Sequence, residues 1–182
     1  DGSLEKLPAQ HVDTGMGLER TIAVLNGLDS NYETDLLKPT FDAVKKITDK
    51  KIVNNSNAES VISSQRIITD HIRSAVFILG DEHGVTPSNT DQGYVLRRLI
   101  RRAVRHGKKL GIEQNFCSEI GKTVLDRFQE SYPELKKNQS FVLEELDVEE
   151  TRFRETLERG TDLLHKQLFL LKVNKEKKLD AK

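Results

Sequence analysis

Apolar residues recur every three or four positions along most of the chain, which is the spacing of one face of an α-helix. Helices are predicted over residues 34–48, 58–79, 91–110, 116–129 and 134–173. Gly107 and Gly111 are the two candidate stops of the third of these helices. Two stretches rich in turn-forming residues, 49–57 and 80–89, are predicted connections. The last helix restarts near Pro133, because proline is favoured at the first helical position. The pattern therefore predicts a mainly α protein with a bundle of about five helices.

The apolar stripes also indicate how the helices pack. The stripe of the helix over 58–79 contains Val61, Ile68, Ile72, Ala75 and Leu79. That of the last helix contains Phe141, Leu143, Leu146, Val148, Phe153, Leu157, Leu163, Leu164, Leu168 and Leu171. This second stripe is interrupted and keeps no sustained heptad. It favours packing against the helix over 91–110 rather than a coiled coil between molecules.

The first thirty residues follow a different pattern. Residues 7–13 form a short, partly extended segment. Gly15 and Gly17 then interrupt regular structure, and a helical period begins at Leu18. Gly27 is a predicted helix stop. We therefore expect a short strand–turn–helix in residues 1–30, followed by a helical domain over residues 31–182.

Composition excludes several classes of protein. The 182 residues suit one domain, or one domain and part of another. Cys117 is the single cysteine, so no internal disulfide can form. No apolar run approaches the ~18 residues of a membrane span, and the first residues lack the apolar core of a signal peptide. We expect a cytoplasmic chain, with no membrane partner, that is a piece of something longer.

The net charge is zero, with 29 basic and 29 acidic residues, but the charges are segregated. Residues 93–110 contain seven basic side chains and no acidic one. They are Arg97, Arg98, Arg101, Arg102, Arg105, Lys108 and Lys109. Such a stripe suits nucleic-acid phosphates. Pairing with the eight acids of residues 144–162 is the main alternative, and a membrane surface is a third.

Residues 13–20, DTGMGLER, offer a second kind of chemistry. Glycines at 15 and 17 let a backbone approach a ligand closely, and a helix beginning near Gly17 presents free N–H groups to an anion. Arg20 could add a bidentate contact to phosphate, and Asp13 could pair with an ammonium group. A plain glycine turn before a salt-bridged helix is the alternative.

The string HVDTGMGLER, residues 11–20, resembles motif 3 of class II aminoacyl-tRNA synthetases in the version of the alanyl-tRNA synthetase family. The resemblance implies that Arg20 contacts the phosphates of ATP and that Gly17 lies close to the nucleotide. It further implies that Asp13 holds the ammonium group of alanine and that Gly15 belongs to the same pocket.

A second resemblance covers the basic helix. TDHIRS (residues 69–74), PSN (87–89) and GYVLRRLIRRA (93–103) are similar to the helical tRNA-recognition segment of that family. Asn89 then matches the asparagine that reads a G·U wobble pair in the acceptor stem. The arginines at 97, 98, 101, 102 and 105 would hold backbone phosphates. The family's partner aspartate lies in a later motif that this chain does not contain.

The resemblance implies a segment of an alanine–tRNA ligase: residues 1–30 end the catalytic domain and residues 31–182 recognise tRNA(Ala). ATP with Mg²⁺ and alanine would be the substrates, and the rest of the catalytic domain a necessary partner. We expect no metal site, since the histidines have no ligand spacing. We also expect no catalysis by the chain alone, because motifs 1 and 2 are missing. A non-catalytic helical RNA-binding module and a purely structural bundle are the alternatives.

Overall fold

The computed structural model describes residues 14–174 together with residues 2, 3, 5, 6, 8–10 and 12. Within these residues the chain forms eight α-helices and one 3-10 helix, so the mainly α prediction is confirmed. The α-helices are α1 (Leu18–Leu25), α2 (Lys38–Ile47), α3 (Lys50–Asn55), α4 (Ala58–Gly80), α5 (Asp91–Lys109), α6 (Cys117–Phe128), α7 (Pro133–Lys137) and α8 (Gln139–Asn174). The chain divides into two compact units, residues 1–38 and residues 39–182.

In the first unit, α1 ends where the sequence predicts. Gly27 has a φ of +63° and lies just past the helix. Its N–H donates to the carbonyl of Val24 at 3.2 Å, and the N–H of Leu28 donates to the carbonyl of Ala23 at 2.9 Å. This pair of hydrogen bonds is the Schellman motif, which satisfies the last carbonyls of a helix and requires a left-handed residue. The predicted stop at Gly27 is confirmed.

The strand predicted over residues 7–13 is not seen. Residues 8–10 and 12 have no strand conformation, and residues 7, 11 and 13 lie outside the described part of the chain. A strand exists by pairing with another strand. No second strand is present among the described residues to provide that pairing.

The core of the second unit lies between α4, α5, α6 and the first half of α8. The predicted apolar face of α4 is confirmed, because Val61, Ile68, Ile72, Ala75 and Leu79 are all buried. The buried residues of α5 are Gly93, Leu96, Ile100, Ala103, Val104 and Gly107. Its basic side chains are thereby directed to the flanks and the outer face of the helix.

Two boundaries differ from the predicted ones. The connection predicted over 49–57 contains the short helix α3, because the Asp49 carboxylate accepts a hydrogen bond from the N–H of Lys51 at 2.8 Å and caps it. The long helix predicted from residue 134 is interrupted at Asn138. The side-chain amide of Asn138 donates to the carbonyl of Gly80, at the end of α4, at 3.0 Å. The proline start at Pro133 is confirmed.

The predicted apolar stripe of α8 is only partly buried. Leu146 is fully buried, whereas Phe141, Leu163, Leu164 and Leu168 are exposed. Glu149 and Phe153 of α8 contact Arg101 of α5, so packing against α5 is confirmed for this part of α8. None of the helices within the described ranges has both the length and the apolar run that crossing a bilayer requires.

The end of α5 distinguishes two glycines that the sequence offered as helix stops. Gly111 has a φ of +73° and lies in a second Schellman motif, in which the N–H of Ile112 donates to the carbonyl of Gly107 at 3.0 Å. Gly107 itself lies inside the helix, beneath the buried ring of Phe116. A Cβ at this position would lie 2.6 Å from Cζ of that ring. Gly107 is therefore a packing residue.

We predict opposite effects for two glycine-to-alanine substitutions inside helices. Gly107→Ala should lower the free energy of unfolding by about 1–3 kcal/mol, because the new methyl group overlaps the ring of Phe116. At Gly160 in α8, an added methyl group would contact no described neighbour. Gly160→Ala should therefore raise the free energy of unfolding by about 0.5–1 kcal/mol, since alanine is the better helix former. Urea unfolding measures both. Equal effects would contradict the role assigned to Phe116.

Candidate functional site

The seven basic side chains of α5 divide into two groups. Arg97 and Arg101 are partly buried on the flank that faces α8, with 21% and 31% of their side chains exposed. The exposed group comprises Arg98, Arg102, Arg105, Lys108 and Lys109. The helix thus presents a cationic outer face and a cationic flank that is covered by protein.

The covered flank is paired with one carboxylate. Oε1 of Glu149, in α8, accepts from Nε of Arg101 at 2.6 Å and from Nε of Arg97 at 3.4 Å. Only 2% of Glu149 is exposed. A carboxylate removed from water is stable only when it is paired and hydrogen-bonded, and the two guanidinium groups provide this. Pairing with the acids of residues 144–162 therefore accounts for these two arginines.

The outer face has no such partner within the described part of the chain. Arg98, Arg102 and Arg105 are exposed, and no ion pair joins any of them to a described carboxylate. The guanidinium of Arg98 lies 5.8 Å from the ring centroid of Tyr94, which is itself exposed. Guanidinium groups that lie next to solvent without counter-ions can bind phosphate bidentately.

The loop before α5 is held tightly against the start of the helix. The N–H of Ser88 donates to the carbonyl of Gly93 at 3.1 Å, and Oγ of Ser88 donates to the carbonyl of Thr90 at 2.8 Å. A Cβ on Gly93 would lie 2.5 Å from the carbonyl oxygen of Thr86 and would also overlap Oγ of Ser88. Glycine is therefore required there for the loop to approach the helix.

Asn89, at the end of this loop, is exposed and hydrogen-bonded to Arg97. Nη1 of Arg97 donates to Oδ1 of Asn89 and, at 3.1 Å, to the carbonyl of Ser88. The structure thus brings Asn89 together with the basic helix. It places Asn89 beside Arg97, on the covered flank.

On the other flank of α5, His106 faces α4, which itself carries His71. Nδ1 of His106 lies 3.0 Å from Oγ of Ser64. Burial lowers the pKa of His106, and the nearby charges of Lys109 and Arg102 lower it further. Burial, followed by the charge of Arg102, also lowers the pKa of His71 on α4. Both imidazoles are therefore neutral at pH 7.

In the first unit, the glycine turn leads directly into α1. Gly17 is the N-cap residue, and no described side chain caps the helix there. Arg20, in the first turn, is exposed, and the space beside Gly15 that a Cβ would occupy is open. Asp13 lies outside the described residues. An uncapped helix start with an exposed arginine is suited to an anion.

The described residues contain no group of three or more side chains that could hold a metal ion.

Glu149 is the residue that the sequence reasoning missed. The sequence shows that residues 144–162 are rich in acids, but it does not show which of these acids pairs with the basic helix. One signal was available: Glu149 lies three residues after Leu146 and four before Phe153, so it occupies the apolar stripe of α8. An acid on an apolar stripe indicates a buried, paired carboxylate.

The sequence as a whole matches a known family. The family described as tRNA synthetases class II (A) matches residues 1–182, and the chain belongs to that family. Its relatives include the alanine–tRNA ligase of Fusobacterium nucleatum, which is 41% identical over 181 residues, or 100% of this chain and 20% of that protein. The alanine–tRNA ligase of Pseudoalteromonas translucida is 45% identical over 94% of this chain and 19% of that protein. The alanine–tRNA ligase of Acidithiobacillus ferridurans is 48% identical over 92% of this chain and 18% of that protein. The chain spans about a fifth of the length of these relatives.

We predict that His106 makes the fold less stable as the pH falls. Its pKa in the folded chain is lower than in the unfolded chain, so the unfolded chain binds the proton more readily. The free energy of unfolding should therefore decrease between about pH 7.5 and 5.5, and His106→Gln should reduce that decrease. Urea unfolding across this range tests the effect. The exposed His165→Gln is the control; equal slopes for the two variants would contradict the prediction.

Proposed function

We propose that this chain is the segment of an alanine–tRNA ligase that holds the acceptor stem of tRNA(Ala) and contributes the motif 3 contacts to ATP and alanine. The observation that supports it best is the division of the basic helix α5. On one flank, Glu149 pairs with Arg97 and Arg101, and Arg97 donates to Asn89. On the outer face, Arg98, Arg102 and Arg105 have no carboxylate partners among the described residues.

The two kinds of side chain have different roles on RNA. Arg98, Arg102 and Arg105 bind backbone phosphates, which fix the position of the RNA without reading its sequence. Asn89 contacts a base edge in the wide minor groove of the acceptor stem, where an amide can follow the altered donor and acceptor pattern of a wobble pair. Arg97 and Arg101 contribute positive charge nearby, but both donate to Glu149, and Arg97 also donates to the loop.

The first unit supplies contacts for amino-acid activation. In that reaction the carboxylate of alanine attacks the α-phosphorus of ATP and pyrophosphate leaves. A ribose hydroxyl at the tRNA 3′ end then attacks the alanyl carbonyl, and AMP leaves. The exposed Arg20 and the uncapped start of α1 stabilise negative charge on the phosphates. Gly15 and Gly17 allow the backbone to lie close to the nucleotide and to alanine, whose ammonium group pairs with Asp13.

We predict that the outer arginines determine the salt dependence of RNA binding. In the triple variant R98Q/R102Q/R105Q, the slope of log affinity for an acceptor-stem hairpin against log salt concentration should decrease by about 2–3, since roughly one ion is released per phosphate contact. Fluorescence anisotropy at several salt concentrations measures it. Lys122→Gln, an exposed cation on α6, is the control. An unchanged slope in the triple variant would exclude this face as the RNA-binding surface.

We also predict that the 182-residue chain alone does not catalyse ATP–pyrophosphate exchange, because the remaining catalytic residues must come from the rest of the catalytic domain. Radioactive pyrophosphate exchange in the presence of alanine measures this activity. Exchange above background that is abolished by Arg20→Ala would show that the chain is sufficient for activation, and the proposed division of labour would be wrong.

A further inference from the structure

A continuous series of contacts joins the inside of α8 to the exposed amide of Asn89. Glu149 is buried and accepts from Nε of Arg97 at 3.4 Å. The same guanidinium donates through Nη1 to the carbonyl of Ser88 and to Oδ1 of Asn89. Arg101 donates to the same carboxylate oxygen at 2.6 Å. The guanidinium of Arg97 therefore bridges a buried carboxylate and an exposed loop.

We propose that Glu149 is a positioning residue that sets the orientation of the Asn89 amide through Arg97. The proposal rests on the proposed function, in which Asn89 contacts a base edge. Glu149 itself is buried and acts on RNA only through Arg97 and Asn89. The specificity of the loop at residues 86–90 thus depends on a residue of α8.

The chemistry of the three groups determines which atoms Asn89 presents. A guanidinium has only donors, so the atom of Asn89 that faces Arg97 is its carbonyl oxygen. The amide NH₂ is then directed away from Arg97. It is available to donate to the acceptors of the minor groove, O2 of pyrimidines and N3 of purines, whose positions differ between a G·U wobble pair and a G·C pair. An amide free to rotate would present donor and acceptor equally and would discriminate less between base pairs.

Arginine is the side chain that can make this bridge. Its planar fork places Nε on Glu149 and Nη1 on the loop at the same time. Lysine has one nitrogen on a flexible stem and cannot hold both partners in a fixed geometry. The buried carboxylate is equally necessary, because it fixes the plane of the guanidinium from the side opposite the loop.

The test compares Glu149→Gln with Glu144→Gln, which removes an exposed acid on the same helix. Binding is measured with two acceptor-stem hairpins that differ at one position, G·U or G·C. We expect wild type and Glu144→Gln to favour G·U by on the order of tenfold, and Glu149→Gln to lose the preference while binding the G·C hairpin within about twofold of wild type. In the Asn89→Ala background, Glu149→Gln should cause no further loss of the G·U preference, because Glu149 acts through Asn89.

A second measurement does not depend on RNA. The ¹⁵N–¹H signals of the Asn89 amide and of Arg97 Nε report their order in the free chain. We expect Glu149→Gln to increase the motion of both, and Glu144→Gln to leave them unchanged. If Glu149→Gln does not fold, as judged by circular dichroism, Arg97→Lys is measured in the same way, with the Asn89 signal as readout.

The outcomes separate the two proposals. An Asn89 amide that stays as ordered in Glu149→Gln as in wild type overturns the positioning role, whatever the RNA measurements give. A loosened amide together with loss of the G·U preference supports both proposals. A loosened amide in a chain whose wild type binds neither hairpin supports the positioning role and removes the proposed function.

Discussion

Two adjacent buried carboxylates on α8, Glu149 and Glu150, are the constraint on which the second unit depends. They are 2% and 0% exposed, and a buried carboxylate is unstable unless cations and N–H donors surround it. Glu149 draws Arg97 and Arg101 of α5 toward α8. Glu150 accepts from the backbone N–H groups of residues 116 and 117, at the start of α6, at 2.9 and 2.7 Å. One turn of α8 thereby fixes the positions of two other helices.

Arg154 extends this constraint to the connection between α5 and α6. Its guanidinium lies 2.9 Å from Glu150 and donates to the carbonyls of residues 112, 113 and 114. Burial and the neighbouring Glu150 raise the pKa of the Cys117 thiol well above its ordinary value. The thiol is therefore neutral and packs as a small apolar group. The charges in this region hold the helices together, whereas Arg98, Arg102 and Arg105 on the outer face of α5 pair with no described carboxylate.

The sequence is sufficient for those parts of the fold that depend on local patterns. The buried face of α4 follows from helical periodicity, and the stop at Gly27 follows from the requirements of a helix end. Asn138 was not predictable, because the reason for the interruption is the carbonyl of Gly80, which is distant in sequence. Gly107 was ambiguous for the same reason, since only the ring of Phe116 explains it. In the candidate site, the stripe of cations was visible in the sequence, but its division by Glu149 depends on how α8 packs.

A net charge of zero is compatible with a strongly cationic face, as the division of α5 shows. A chain with 29 positive and 29 negative residues has no overall attraction for RNA, and at physiological salt the field of any group is screened within about 8 Å. In the proposed function, attraction must therefore come from cations that stand close together without internal partners. Glu149 offsets one of the two positive charges of Arg97 and Arg101, so that the field is strongest on the outer face. Binding through one confined face restricts the orientation of a bound duplex. Such restriction is required if a single amide, beside that face, is to meet one particular base pair.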